Sequence, residues 1–215
     1  ISLDADLNDE ETLRKVAMTA MTGKSAETAR DYLADIAVEA ISSVADESSD
    51  RIFVDQDSIK VEKKKGSSVE DTDLVQGVIL DEEKVHSGMP SEVEDARIAL
   101  IDSAIEVKET STDAEINISD PTQMQNFVEQ EEEQLKDMVD AIDEAGANVV
   151  LCQKGIDDIA QHYLAKKGIF AIRRVSSGDL DKLSNATGGS IVTSIDEIEE
   201  SDLGNAGSVE HKHVG

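Results

Sequence analysis

The sequence has no tryptophan, three phenylalanines and two tyrosines in 215 residues, so aromatics make up only 2% of it. A core of large rings is excluded, and the interior must be assembled from Val, Ile, Leu and Ala within a hydrophobic fraction of 39%. There is one cysteine, Cys152. A lone thiol forms no internal disulfide, which excludes a disulfide-stapled fold and fits a reducing cytoplasm. Basic residues are scarce too: 20 Lys and Arg stand against 48 Asp and Glu, a formal net charge of -28. Such a charge repels nucleic acid and anionic membranes, so neither is expected as a partner. No apolar run approaches the roughly 20 residues that cross a bilayer and no signal peptide opens the chain, so a soluble, cytoplasmic protein is expected. Both ends read as cut: Ile1 is not an initiator, and the final GSVEHKHVG resembles an unfinished strand.

A large net charge with few aromatics is also the composition of disorder. Periodic apolar segments argue instead for a folded protein with a saturated acidic surface, of the kind halophiles use to stay soluble in brine. Asn8 with Glu11 three residues on forms a capping-box pattern, and Leu13, Val16, Ala17 and Ala20 then recur at helical spacing. After a break at Thr22-Gly23-Lys24, residues 25–44 place Ala29, Leu33, Ile36, Ala37, Ala40 and Val44 on one helical stripe. From Arg51 the period becomes two, with Ile52 and Val54, then Ile59 and Val61, reading as a ribbon of short strands. The basic cluster Lys63-Lys64-Lys65 closes this first domain, residues 1–65.

Two apolar strands are expected next, over 74–80 and 97–107, buried on both faces. A long helix follows, with Asp120 as N-cap, Pro121 at the first helical position and Gly146 at its end. The remainder alternates: strand 148–152, helix 156–166, strand 169–173, helix 178–185, strand 190–193. The fold class is therefore α/β, a small, mostly parallel sheet with flanking helices and one long projecting helix, preceded by a helical segment. The second domain covers residues 66–207, and 208–215 begins a return toward the first.

Enzyme motifs are poorly served. Gly23-Lys24-Ser25 resembles the end of a phosphate-binding P-loop, but Met18 stands where that motif needs its first Gly and no strand precedes it. Gly188-Gly189 has no G-x-G-x-x-G beside it, and Asp55 and Asp57 lack the Gly and Glu of a calcium loop. His211 and His213 have no third ligand nearby in sequence, so no metal site is expected. Cys152, at the end of an apolar strand without an adjacent His, reads as a small buried hydrophobe.

Two features stand out from this background. The apolar residues of the long helix fall in two clusters, Met124-Phe127-Val128 and Leu135-Met138-Val139-Ile142, separated by the wholly polar 129–134. An ordinary amphipathic helix with one charged stretch is one reading, and a helix that leaves an apolar cluster in solvent as a binding surface is the other. Followed along the axis from Pro121, the first cluster would dock on the sheet and the second, about 10 Å further on, would project. The second feature is the helix at 155–166, where Ile156, Ile159, Ala160, Tyr163 and Leu164 form the expected buried stripe. Asp158, Gln161, His162 and Ala165 are left facing outward, where side chains are usually just solvated.

Five stretches carry a resemblance. They are AMTAMTGKSAE at 17–27, DTDLVQGVILDEEKVHSGMP at 71–90, SDPTQMQNFVEQEEEQLKDMVDAI at 119–142, NVVLCQKGIDDIAQHYLAKKGIFAIRRV at 148–175 and LSNATGGSIV at 183–192. In this order they are similar to the group II chaperonins, the archaeal thermosome and its eukaryotic cytosolic relatives. The resemblance implies an intermediate-domain segment over 1–65 and an apical domain over 66–207 that binds unfolded polypeptide. It also implies a helical protrusion, 119–146, that closes as a built-in lid, with Met124, Phe127 and Val128 as its client-contacting tip and Leu135 and Ile142 as packed core. Asp158, Gln161, His162 and Ala165 would line the client-binding face, and Thr22, Gly23 and Lys24 would form the loop that senses nucleotide. The implied partners are unfolded clients and other subunits of a double ring. ATP and Mg are implied for the longer protein only, because the family's equatorial ATP site has no counterpart here. This chain is therefore expected to have no catalytic residues, to bind no cofactor tightly and not to hydrolyse ATP. A small α/β nucleotide-binding enzyme built on residues 148–193 is the alternative reading.

Overall fold

The computed structural model describes residues 7, 9–46, 52–54, 58–63, 65, 68–107 and 121–212, with the side chains of 46 and 121–124 outside the description. Asn8, Asp55, Asp57, Asp120, His213 and the side chain of Met124 thus lie outside the described residues. The chain divides into two compact units, Ile1–Ile79 with His213–Gly215, and Leu80–Lys212. This division falls after Ile79, later than the basic cluster at Lys63-Lys64-Lys65 indicated.

In the first unit, helix α1 spans Glu10–Met21 and helix α2 spans Arg30–Ser43. The cap of α1 is Asp9 rather than Asn8: its carboxylate accepts from the Thr12 N–H at 3.1 Å. Gly23, at φ +74°, turns the chain out of α1 in a conformation that costs other residues a Cβ clash. A single 3-10 turn, Glu27–Ala29, then leads into α2. The two helices meet through Arg14, whose guanidinium donates to Asp31 and Asp35 of α2. Apolar burial in this pair is slight. No residue of α1 is buried and α2 buries only Ala34 and Ala40, so the expected apolar stripe of α1 is in part solvent-exposed, Val16 most of all. The ribbon also differs from expectation. Strand β2, Phe53–Val54, pairs antiparallel with β1, Ala45–Asp46, and not with residues 59–61.

The second unit is a five-stranded sheet. Strands β3 (Glu92–Ile101), β4 (Val149–Cys152), β5 (Phe170–Ile172) and β6 (Ile191–Val192) run parallel in the order β5-β4-β3-β6. Strand β7, Gly204–Glu210, lies antiparallel to the first part of β3, so 208–210 belong to this sheet and not to a return segment. β3 starts and stops earlier than the apolar run at 97–107. Its charged first half is held by β7, and beyond Ile101 the chain turns, leaving Ile105 in an isolated bridge to Ile156. Residues 74–80 form no strand. The free edge of β5 is taken instead by Lys84 and Val85, through a bridge to Ile172 and a bond from Val85 N–H to the Ala171 carbonyl at 3.0 Å.

Helix α3 (Pro121–Glu144) joins β3 to β4, helix α4 (Asp158–Lys166) joins β4 to β5, and helix α5 (Ser177–Thr187) joins β5 to β6. Right-handed crossovers put α3 and α4 on one face and α5 on the other. The main core lies under α3 and α4, where Leu135, Val139 and Ile142 meet Ala160, Leu164 and the alternate sheet residues Ala99, Ile101, Val150 and Ala171. Period-two alternation turns Ile98, Leu100, Val149 and Leu151 toward the face that carries α5, whose Leu180 and Leu183 are buried. The docking of α3 is the reverse of the reading along its axis: the second cluster is core, while Phe127 and Val128 of the first are exposed. Distance from the sheet is counted from the C-terminal end of α3, where Gly146 at φ +87° feeds β4 directly.

Candidate functional site

Helix α4 is capped at its start by Asp157, whose carboxylate accepts from the Ile159 N–H at 2.8 Å. Its buried side differs from the stripe read in the sequence. Gln161, expected outside, is 6% exposed, whereas Ile159, expected inside, is 41% exposed. The cause is a hydrogen bond. The Ile156 carbonyl lies ahead of the helix, and the Gln161 Nε2 amide turns inward to donate to it at 2.7 Å and to Asp158 Oδ1 at 3.1 Å. A buried carbonyl left unpaired would cost about 1–3 kcal/mol, enough to decide which side chain points in. Of the other outward residues, Asp158 and His162 are exposed and Ala165 is half-buried.

The loop from Lys84 to Ser91 packs against this helix. Met89 anchors it in the core at 3% exposure, and the Lys84 ammonium closes it by donating to the Met89 carbonyl (2.8 Å) and Ser91 Oγ (2.9 Å). His86 meets His162 edge-to-face with ring centroids 6.0 Å apart. The Gly88 N–H donates to His86 Nδ1 at 3.0 Å, which assigns that nitrogen as the acceptor. A Cβ at Gly88 would stand 3.1 Å from that nitrogen and 3.9 Å from the Ala165 Cβ, so glycine lets the loop lie close to the helix. The loop and α4 thus make one surface from His86, Gly88, Ile159, His162 and Ala165. The contribution of His86 was hidden in the sequence, where 75 residues lie between it and His162.

Helix α3 flanks the other side of α4. Tyr163 Oη donates to Glu132 Oε1 at 2.6 Å, and the Lys167 ammonium lies 2.8 Å from Asp140 and 2.6 Å from Asp143. The hydrogen bond to Glu132, followed by desolvation, raises the Tyr163 pKa. The hydrogen bonds it donates to Asp140 and Asp143 hold Lys167 above its usual range, and accepting from Lys167 holds Asp140 below its own. Because higher numbers on α4 meet higher numbers on α3, the two helices run parallel. Beyond Glu132, α3 continues toward its N-terminus through the exposed Phe127 and Val128, 41% and 54% accessible.

In the first unit, Thr22, Gly23 and Lys24 are all exposed on the turn between α1 and α2. Thr22 Oγ1 donates to the Met18 carbonyl at 3.0 Å, and the Gly23 N–H donates to Glu27 Oε2 at 3.3 Å, while the Lys24 side chain makes no hydrogen bond or ion pair with a described residue. Cys152 is buried, and desolvation pushes its thiol up to about 11, the wrong direction for a nucleophile. No group of three or more potential metal ligands occurs among the described residues, and no helix among them is long and apolar enough to cross a membrane.

Fold and surfaces together define a two-unit α/β protein in which a long helix, carried on a parallel sheet, presents apolar side chains to solvent. The model of the TCP-1/cpn60 chaperonin family matches residues 1–215, and the chain belongs to that family. It is 59% identical over 214 residues to a thermosome subunit of Methanopyrus kandleri, covering 100% of this chain and 39% of that relative. It is 55% identical over 215 residues to thermosome subunit alpha of Archaeoglobus fulgidus, again covering 100% and 39%. Among solved structures, the open-state monomer of a group II chaperonin from Methanococcoides burtonii superposes with a TM-score of 0.75 at 37% identity, covering 99% of this chain and 47% of that one. This chain therefore spans about two-fifths of its curated relatives. The reading of residues 148–193 as a separate nucleotide-binding enzyme finds no support, since that stretch lies inside the family match.

Proposed function

We propose that this chain is the client-binding and lid-bearing part of a subunit of an ATP-driven, double-ring chaperonin. The observation that carries the proposal is the division of α3: Leu135, Val139 and Ile142 are locked in the core while Phe127 and Val128 stand in solvent on the same helix. An apolar end on a protein of net charge -28 is a liability for a free surface and an asset for one that meets other apolar chains. In this reading the second unit is the apical domain, binding unfolded polypeptide through Asp158, His162 and Ala165 of α4, the His86 loop and the α3 tip of Met124, Phe127 and Val128. Gln161, turned inward, supports that face from behind. Residues 119–146 are the lid protrusion, and the first unit is the intermediate-domain segment.

Thr22, Gly23 and Lys24 sense nucleotide, with the free Lys24 ammonium meeting phosphate when the ATP-binding domain of the longer protein presents it. ATP and Mg belong to that longer protein, which works in the cytoplasm beside the other subunits of its ring. The test is suppression of aggregation of a denatured client by this chain. Ile159→Ser and Phe127→Ser should each weaken suppression without lowering the unfolding midpoint. Full suppression by the double variant would refute the assignment of this face.

A further inference from the structure

The turn that seats the His86 loop on α4 is held by a bond that only one protonation state of the ring allows. The Gly88 N–H donates to His86 Nδ1 at 3.0 Å, so the neutral ring carries its proton on Nε2. A second proton must go to Nδ1, which then becomes a donor facing a donor. The bond is lost and the two N–H groups turn apart. There is little slack to absorb that change: a Cβ on Gly88 would stand 3.1 Å from Nδ1 and 3.9 Å from the Ala165 Cβ, so ring, turn and helix lie close together.

A second contact answers to the same proton. His162 of α4 meets the His86 ring with centroids 6.0 Å apart and planes inclined at 70°. Two neutral rings sit well edge-to-face, whereas two imidazolium rings at that separation repel. On α4 the other ionisable groups of this face are Asp158 and Lys166, one turn to either side of His162, and Tyr163, which is bonded to Glu132. Strand β5, which Lys84 and Val85 join, has no ionisable side chain over Phe170–Ile172. On the loop itself, Glu82 and Glu83 precede Lys84, whose ammonium is tied to the Met89 carbonyl and Ser91 Oγ. His211, after β7, reaches the loop through its backbone N–H, 2.8 Å from the Ser91 carbonyl. Carboxylates, lysines and tyrosine ordinarily keep one charge state from pH 8 to 5.5, so imidazole is the group that responds there.

We infer that His86 is a proton switch on this surface. Neutral, it pins the turn at residues 86–88 to α4; protonated, it lets the turn go, while buried Met89 and the Lys84 ammonium hold the rest of the loop in place. The turn is seated at pH 8 and is released as pH falls and the ring takes up its proton. Because turn and helix share one face, release also alters client binding, a consequence that rests on the reading of that face given above.

The test is an NMR titration of the isotope-labelled full chain from pH 8 to 5.5, following the His86 ring and the Gly88 amide. At pH 8 the ring should carry its proton on Nε2. As pH falls, the Gly88 amide proton should move upfield with the midpoint of the His86 ring, while the Val85 amide, bonded to β5, stays in place. His86→Asn offers the same N–H a side-chain oxygen, as Asx turns do, and takes up no proton, so its Gly88 amide should not respond. A Gly88 amide that stays put through the His86 titration, a neutral ring with its proton on Nδ1, or an undiminished response in His86→Asn would overturn the inference. Capture of a denatured client by the native chain and by His86→Asn should be equal at pH 8 and differ about two- to tenfold at pH 5.5, the weight of one hydrogen bond. Equal capture at both pH values beside the expected Gly88 response would leave the switch standing and refute the client-binding reading of this face.

Discussion

At the scale of single residues, what decides a role here is a side chain's nearest partner more than its type. Gln161 is polar and buried because one carbonyl needs its amide, and Ile159 is apolar and exposed because the helix rotates to supply it. Period analysis weighs polarity alone, so neither placement was legible in the sequence. The nature of Cys152 was legible, since an apolar run with no base beside it describes a packed thiol. The same contrast of partners yields a test along α3. Ile142 is fully buried, and truncation to alanine should cost about 2–5 kcal/mol, whereas Phe127→Ala at an exposed site should stay within about 0.5. With no tryptophan to report, urea unfolding followed by far-UV circular dichroism measures both. Equal losses in the two variants would make the α3 tip part of the core and remove the basis for a protrusion.

At the scale of elements, strong local signals carried through and long-range ones did not. The span of α3, its Pro121 start and Gly146 stop, and the alternation from β4 to β6 were all readable from periodicity and breakers. The pairing of β7 with β3 was not. GNAGSVE offers no apolar alternation, and its place is set by hydrogen bonds to a strand more than a hundred residues earlier. The direction in which α3 docks was hidden for a similar reason, since both clusters are apolar and only the sheet chooses between them. The contact between α3 and α4 has a pH signature. Asp140 titrates below its ordinary 3.8 through its hydrogen bond with Lys167, so this contact contributes fully above that value and is lost as pH falls through the lowered folded value. Lys167 titrates above its ordinary 10.5, so the contribution persists up to that value and is lost as pH rises through the raised folded one. The difference in thermal midpoint between the native chain and Lys167→Met should therefore hold from pH 5 to 9, about a unit inside both limits, and close toward each extreme. A difference that grows below pH 3 would contradict the pairing.

At the scale of the whole molecule, two electrostatic effects oppose each other. Ion pairs such as Arg14 with Asp31 and Lys15 with Glu11 are solvent-exposed, and exposed pairs contribute about 0–1 kcal/mol each, which salt weakens. Against them stands the mutual repulsion of a chain with 48 acidic residues and 20 basic ones, which salt relieves. The excess of 28 like charges outweighs a few exposed pairs, so screening should stabilise the fold. The Debye length falls from about 10 Å at 0.1 M to about 3 Å at 1 M, shorter than the spacing of most surface charges. Thermal midpoints should therefore rise with KCl across that range. The rise should be steepest at the low end, where screening changes most. The slight apolar burial of the α1 and α2 pair makes the first unit the more sensitive reporter, because there repulsion meets the least opposing core. Differential scanning calorimetry in a KCl series measures the trend, and a midpoint that stays flat or falls would show that the exposed pairs, and not the net charge, govern the stability of this chain.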